Sequence, residues 1–176
     1  GQTVLINGAT GAVGTFAVQI AKALGAEVTA VCSERNLELV RRLGADQVIP
    51  YETEDFTTCG RQFDVLFDVV GNRPLRACRQ VMKAKATFVV AGSPEEGWLG
   101  PIGPMMAKLA QGPFISQRVM SFIGTANRAD LLVLTELIES GKVTPAIDRQ
   151  FELAEIADAM RYLVEGRPAS KVVISV

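Results

Sequence analysis

Histidine is absent from this chain of 176 residues. A zinc ion held by histidine, a Ser-His-Asp triad and an imidazole proton relay are thereby excluded within it. Cysteine is scarce: Cys32, Cys59 and Cys78 form no CxxC pair, so neither a zinc knuckle nor a thioredoxin-type redox motif can be built. Three thiols are also an odd number for a disulfide framework, which points to a reducing, cytoplasmic setting. An excess of charge is missing too. Lys and Arg total 18 and Asp and Glu total 19, for a net charge of -1, so no basic field for nucleic acid or an anionic membrane follows. Residues 1–21 carry no charged side chain, but Gly8, Gly11 and Gly14 break that run into strand, turn and helix, which is no membrane span. The basic n-region of a signal peptide is also lacking.

What is present is apolar. Hydrophobic residues make up 48% and charged residues 21%, the composition of a chain that buries a full core. The length suits one domain, or one domain plus a piece of a second. Short apolar runs at 3–6, 27–32, 47–49, 63–68, 86–91, 118–123 and 171–176 read as strands. Helical spacing fills 13–24, 34–43, 75–82 and 130–139, and the tail from Phe151 reads as a further helix through Ile156, Met160, Leu163 and Val164. Gly25 and Gly44 stand where the first two helices stop. Residues 93–113 break the pattern with four glycines and four prolines and read as a long irregular loop. The strands are continuous apolar runs, as expected for parallel strands covered on both faces. Alternating β and α at this spacing predicts an α/β fold, a doubly wound parallel sheet in a three-layer αβα sandwich.

One motif carries chemistry. Asn7-Gly8-Ala9-Thr10-Gly11-Ala12-Val13-Gly14 lies between the first strand and the first helix. Small residues there let backbone approach a diphosphate, and the free amides at the helix start meet its negative charge. Gly11 permits the close approach, and Gly14 lets helix and strand pack tightly. Ala9 stands in the place of the first glycine of GxGxxG, so the loop is a variant. Glycines also serve plain turn geometry, but a strand before and a helix after are the context that supports dinucleotide binding. An acid near the end of the second strand would favour NAD. Ser33 stands there instead, with Arg35 close behind, and a hydroxyl plus a guanidinium suits the 2′-phosphate of NADP. Glu34 could oppose that phosphate, and Arg35 could be an ordinary solvated helix residue.

GATGAVG, FAVQIAKALGAEV, CSERN, the LGAD of Leu43–Asp46, the FDVVG of Phe67–Gly71 and ELIESGKVTPAID together resemble the medium-chain dehydrogenase/reductase superfamily. Within it they are most similar to the quinone oxidoreductase-like, zinc-type alcohol dehydrogenase-like branch. The resemblance covers nearly the whole chain and implies a Rossmann domain over 1–125. It also implies that 126–176 is the returning piece of a GroES-like catalytic domain whose larger part is missing, so the chain is expected to be a truncated product, inactive alone. Ala9, Thr10, Gly11, Ala12, Val13 and Gly14 match the family's diphosphate loop, and Ser33 and Arg35 match its 2′-phosphate positions. Tyr51 matches a tyrosine near the same phosphate, although a half-buried ring at a strand end is the plainer reading. Val69 matches the cofactor-lining segment. Gly92, Ser93, Phe122 and Ile123 match strand ends that contact the nicotinamide half. The implied activity is hydride transfer between NADPH, with NAD the less favoured cofactor, and a quinone, an enone or a carbonyl/alcohol substrate. No catalytic residue and no metal ligand is assigned in this chain.

Two rivals remain. An atypical short-chain reductase shares GATGxxG but needs Tyr-x-x-x-Lys, whereas Asp55 stands four residues after Tyr51 and Gly166 four after Tyr162. The other rival is a non-catalytic NADPH-binding sensor or interaction module. A homodimer is expected through the edge of the sixth strand, where Val119, Met120, Phe122 and Ile123 are apolar, with Trp98, Leu99, Met105 and Met106 beside it. The alternatives are a loop folded over that edge or a patch that faced the missing domain.

Overall fold

Continuous apolar strands can be covered on both faces only if helices cross over on both sides of one sheet, and the chain does this. The computed structural model describes residues 1–91, 116–121, 127–166 and 168–176. The strands are β1 Thr3–Asn7, β2 Glu27–Cys32, β3 Gln47–Pro50, β4 Phe63–Asp68, β5 Met82–Val90 and β6 Arg118–Ser121. They pair in the order β3-β2-β1-β4-β5-β6, every pair parallel. Helices α1 Gly14–Ala23, α2 Leu37–Arg42 and the single turn α3 Leu75–Cys78 supply the crossovers. Helix α4 Arg128–Glu139 precedes a second sheet of two parallel strands, β7 Ile147–Glu152 and β8 Lys171–Ser175, which are joined by α5 Ile156–Gly166.

Alternation along β1 shows the two faces. Leu5 joins Leu66, Phe88, Leu75 and Cys78 on the α3 side, while Val4 and Ile6 join Val28, Ala30, Val18 and Val40 on the α1 and α2 side. Both crossover helices end in the same hydrogen-bonded cap. Gly25, at φ +78°, donates to the Lys22 carbonyl and Ala26 to that of Ala21; Gly44, at φ +103°, donates to Arg41 and Ala45 to Val40. A left-handed residue satisfies the last carbonyls and turns the chain into the next strand.

Four readings are corrected. The helix expected over 34–43 begins as a 3-10 turn at Glu34–Asn36, because Asn36 Nδ2 bonds the Ser33 hydroxyl at 2.8 Å and Asn36 breaks the helical dihedrals. The helix over 75–82 shrinks to α3 and a 3-10 turn at Arg79–Val81, since Met82 already pairs with Phe63 as the first residue of β5. β5 therefore starts before 86. Lys83 and Lys85 mask it in the sequence, and an irregularity in its register between Phe63 and Val65 of β4 takes up the extra residues. Phe151 belongs to β7, an unexpected strand with a single buried residue, and the tail helix starts only at Ile156. Of the strand expected over 118–123, β6 ends at Ser121 among the described residues; Phe122, Ile123 and the loop with Trp98, Leu99, Met105 and Met106 lie outside them. No helix among the described residues is long and apolar enough to cross a membrane.

At the N-terminal edge of the sheet one carboxylate ties three strands. Asp64 accepts from Lys83 Nζ at 2.8 Å and from Thr3 N at 2.8 Å and Oγ1 at 2.9 Å. The Lys83 bond, followed by those of Thr3, lowers its pKa to about 2, against roughly 3.9 for a free aspartate. A depressed carboxylate stabilises the fold above its unfolded pKa, and that contribution is lost as pH falls through the folded value. Asp64→Asn is therefore expected to lower the melting temperature at pH 6, with the difference from the unmodified chain shrinking as pH falls from about 4 to 2 and vanishing below that range. Thermal melts across pH 2–6 check it; a difference independent of pH would show that the charge is not involved.

Candidate functional site

The strand order reverses direction between β1 and β4, and the crevice at their C-terminal ends is where such sheets hold ligands. The loop from Gly8 to Val13 crosses this point. Gly8 and Ala9 donate to the Val31 carbonyl at the end of β2, at 3.2 and 3.0 Å, which pins the loop across two strands. Ala9, Gly14 and Thr15 are buried, whereas Gly11, Ala12 and Val13 are exposed. A Cβ on Gly14 would stand 2.0 Å from the Gly8 carbonyl oxygen and 2.8 Å from Ala9 backbone atoms. Helix α1 is thus pressed directly on the loop. A Cβ on Gly11 meets nothing nearer than that same oxygen at 3.6 Å, so the space above Gly11 is open to a ligand.

The start of α1 has no side-chain cap and no acidic residue in its first turn. The Thr15 amide donates to the Gly11 carbonyl at 3.1 Å, and no side chain competes with an anion for the amides just before it, at the start of the helix. A cation arrives from the far end of the sequence. Lys171, the first residue of β8, places Nζ 3.1 Å from the Ala12 carbonyl, 3.4 Å from Thr15 Oγ1 and 4.0 Å from the Phe16 ring centroid. Burial lowers its pKa. Lys171 is a candidate site residue that nothing local in the sequence distinguishes, since it is only a lysine opening a strand. Docking of the tail on α1 brings it there, held also by Gln19, which donates to the Thr144 carbonyl at 3.0 Å and accepts from Thr144 N at 2.8 Å.

Ser33 lies buried at the end of β2, and its hydroxyl accepts from Asn36 Nδ2 at 2.8 Å, keeping its own proton to donate. Arg35 is exposed. Tyr51 follows β3, is 52% exposed as a residue, and has its N–H bonded to the Cys32 carbonyl at 3.0 Å. Glu52 Oε2 accepts from Glu34 N at 3.0 Å. Burial chiefly, then the Glu52 charge, pushes the Cys32 thiol up to about 11, which makes it a packed thiol and no nucleophile.

Beside the loop, Asp68 ends β4 fully buried and accepts from Asn7 Nδ2 at 2.9 Å and from Gly71 N at 2.8 Å. Asn7 Nδ2 also reaches Asn72 Oδ1 at 3.0 Å, and Val69 N donates to the Asn7 carbonyl at 3.0 Å. This buried network fixes the turn carrying Val69 against the Gly8–Val13 loop. Its signal in the sequence is a polar residue closing each of two apolar strands, Asn7 and Asp68. Ala9, Thr10, Gly11, Ala12, Val13, Gly14, Ser33, Arg35, Tyr51 and Val69 thus collect at the C-terminal ends of β1–β4, and Gly92, Ser93, Phe122 and Ile123 lie outside the described residues.

A parallel sheet in this order, with an uncapped helix start at the point of reversal, defines the Rossmann class of α/β dinucleotide-binding domains. The chain belongs to the zinc-binding dehydrogenase family, whose sequence pattern matches residues 43–174. It is 33% identical over 191 residues to a mitochondrial NAD(P)H oxidoreductase of Mus musculus, covering 100% of this chain and 48% of that protein. It is 33% identical over 178 residues to 2-methylene-furan-3-one reductase of Solanum lycopersicum, covering 99% and 40%. The quinone oxidoreductase structure from Coxiella burnetii superposes with a TM-score of 0.81 at 28% identity, covering 100% of this chain and 53% of that one. The chain spans half or less of the length of the curated relatives named here. The family description mentions zinc, but this chain has no histidine, and no group of three His, Cys, Asp or Glu side chains among the described residues could hold a metal ion. These residues do not fit a zinc site.

Proposed function

We propose that this chain is the cofactor-binding portion of an oxidoreductase that transfers a hydride between NADPH and a quinone, an enone or a carbonyl/alcohol pair. The observation that carries the reading is the open, uncapped start of α1 above Gly11, with the Lys171 ammonium held at the Ala12 carbonyl beside that helix start. The bound dinucleotide supplies the hydride chemistry. The chain's own residues bind and orient it: the loop and Lys171 take the diphosphate, the Asn7–Asp68 network holds the Val69 turn beside the ring-bearing half, and Ser33, Arg35 and Tyr51 take the 2′-phosphate.

The name and activity of the relatives support oxidoreduction, and their greater length supports a parent with a further, substrate-binding domain to which 126–176 belongs. An apolar cavity of about 860 Å³ supports the same view. It is lined by Phe16 and Ile20 of α1, by Leu24 just after it, and by Leu134 and Ile138 of α4, and α4 buries none of its own residues. A homodimer through β6 is part of the proposal, supported by its place at the end of the sheet order and by exposed Met120.

Calorimetry with NADPH and NADH tests the assignment. NADPH is expected to bind more tightly, and Arg35→Ala to remove most of the difference. One charge-assisted phosphate contact is worth roughly 1.5–3 kcal/mol, or about tenfold or more in affinity. Equal affinity for the two cofactors in the unmodified chain would overturn the NADPH assignment, and absence of binding by either would overturn the dinucleotide reading itself.

A further inference from the structure

The two nicotinamide dinucleotides differ only at the adenosine 2′ position, and in a Rossmann sheet that position lies beyond the end of β2. An acid there accepts from the ribose hydroxyls and repels a 2′-phosphate. Strand β2 carries no such acid, since Ser33 follows its last residue. The fold supplies one from the neighbouring strand. Pro50 of β3 pairs with Cys32 of β2, and the chain stays bound one residue further, Tyr51 N to the Cys32 carbonyl at 3.0 Å. That pairing sets Glu52 down beside Ser33, where its Oε2 accepts the Glu34 N–H at 3.0 Å. The same amide is among the few donors that a phosphate between Ser33 and Arg35 could use. The carboxylate is also close enough to the strand end to help raise the Cys32 pKa.

We infer that Glu52 is a specificity-determining residue of this site, a carboxylate that occupies the Glu34 amide and must leave it for the 2′-phosphate of NADPH to bind beside Arg35. This deepens the cofactor reading above and rests on it. With NADH the carboxylate stays in place and accepts a ribose hydroxyl. With NADPH it loses its amide bond and faces a dianion, so Arg35 and Glu52 pull discrimination in opposite directions.

The test measures dissociation constants of NADPH and NADH for the unmodified chain, Glu52→Gln and Glu52→Lys by calorimetry. Glu52 is exposed, so the melting temperature of each variant is expected to match the unmodified chain. Glu52→Gln, which keeps the shape and removes the charge, should tighten NADPH about tenfold or more, the scale of one charge-assisted contact, while weakening NADH slightly. Glu52→Lys should widen the ratio further. An NADPH-to-NADH ratio unchanged within about twofold in both variants, with both cofactors binding, overturns the role of Glu52 and leaves the cofactor reading standing. Failure of both cofactors to bind the unmodified chain overturns the cofactor reading and this inference with it.

Discussion

Gly14→Ala is expected to destabilise the protein by about 3 kcal/mol or more, a fall in melting temperature on the order of 10 °C. Helix propensity alone points the other way, because alanine is the better helix former, so the sign of the change is itself informative. The added Cβ would lie 2.0 Å from the Gly8 carbonyl oxygen and 2.8 Å from the Cα and carbonyl carbon of Ala9. All three are backbone atoms with no rotamer to escape into. Relief requires α1 to lift off the loop, which would strain the bonds of Gly8 and Ala9 to the Val31 carbonyl and uncover buried Val18, on the face α1 shares with β1 and β2. Thermal melts followed by circular dichroism check it. An unchanged or raised midpoint would show that the loop yields freely, and the close approach would then be no constraint.

Gly11→Val is expected to do the reverse: abolish dinucleotide binding and leave the fold intact. Gly11 is exposed, does not stand among the glycines with positive φ, and has no contact for a Cβ shorter than 3.6 Å. Valine therefore fits the free protein, and the melting temperature should move by no more than about 2 °C, as for an ordinary surface substitution. The branched side chain fills the space where a diphosphate would meet the helix amides. Losing two charge-assisted bonds of roughly 1.5–3 kcal/mol each weakens binding by about a hundredfold or more. Calorimetry with NADPH reads the loss. Binding retained with an unchanged dissociation constant would place the ligand elsewhere on the molecule. The pair of glycines three residues apart thus separates packing from recognition: one lies against backbone, the other against open space.

Much of this was legible before any coordinates. The runs read at 27–32 and 63–68 coincide with β2 and β4 residue for residue, because Val, Ala, Leu and Phe dominate them even though Glu27, Asp64 and Asp68 stand within them. Gly25 and Gly44 stop their helices because the cap needs a left-handed residue, a local requirement that a sequence states openly. The Gly8–Val13 loop is local for the same reason, being one stretch of chain between β1 and α1. Elements whose reason is non-local stayed hidden. β7 has one buried residue and pairs with β8 across the α5 crossover, and β5 extends back to Met82 through lysines because Phe63 is there to pair with it.

The sequence by itself determined the alternation of strands and helices in the first sheet and the turn of Gly8–Gly14, since these follow from residue type and spacing along the chain, whereas β7 and the start of β5 did not. Only the tertiary structure decided which charged groups surround that turn. Lys171 reaches the loop because β8 docks the tail near α1, with Gln19 bonded to Thr144. Glu52 reaches the end of β2 because β3 pairs beside it. The physical reason is range. Hydrogen-bonded turns and apolar periodicity act over a few residues and leave their mark in the sequence, whereas an electrostatic contact between side chains on different strands depends on register and crossover, which no single segment contains.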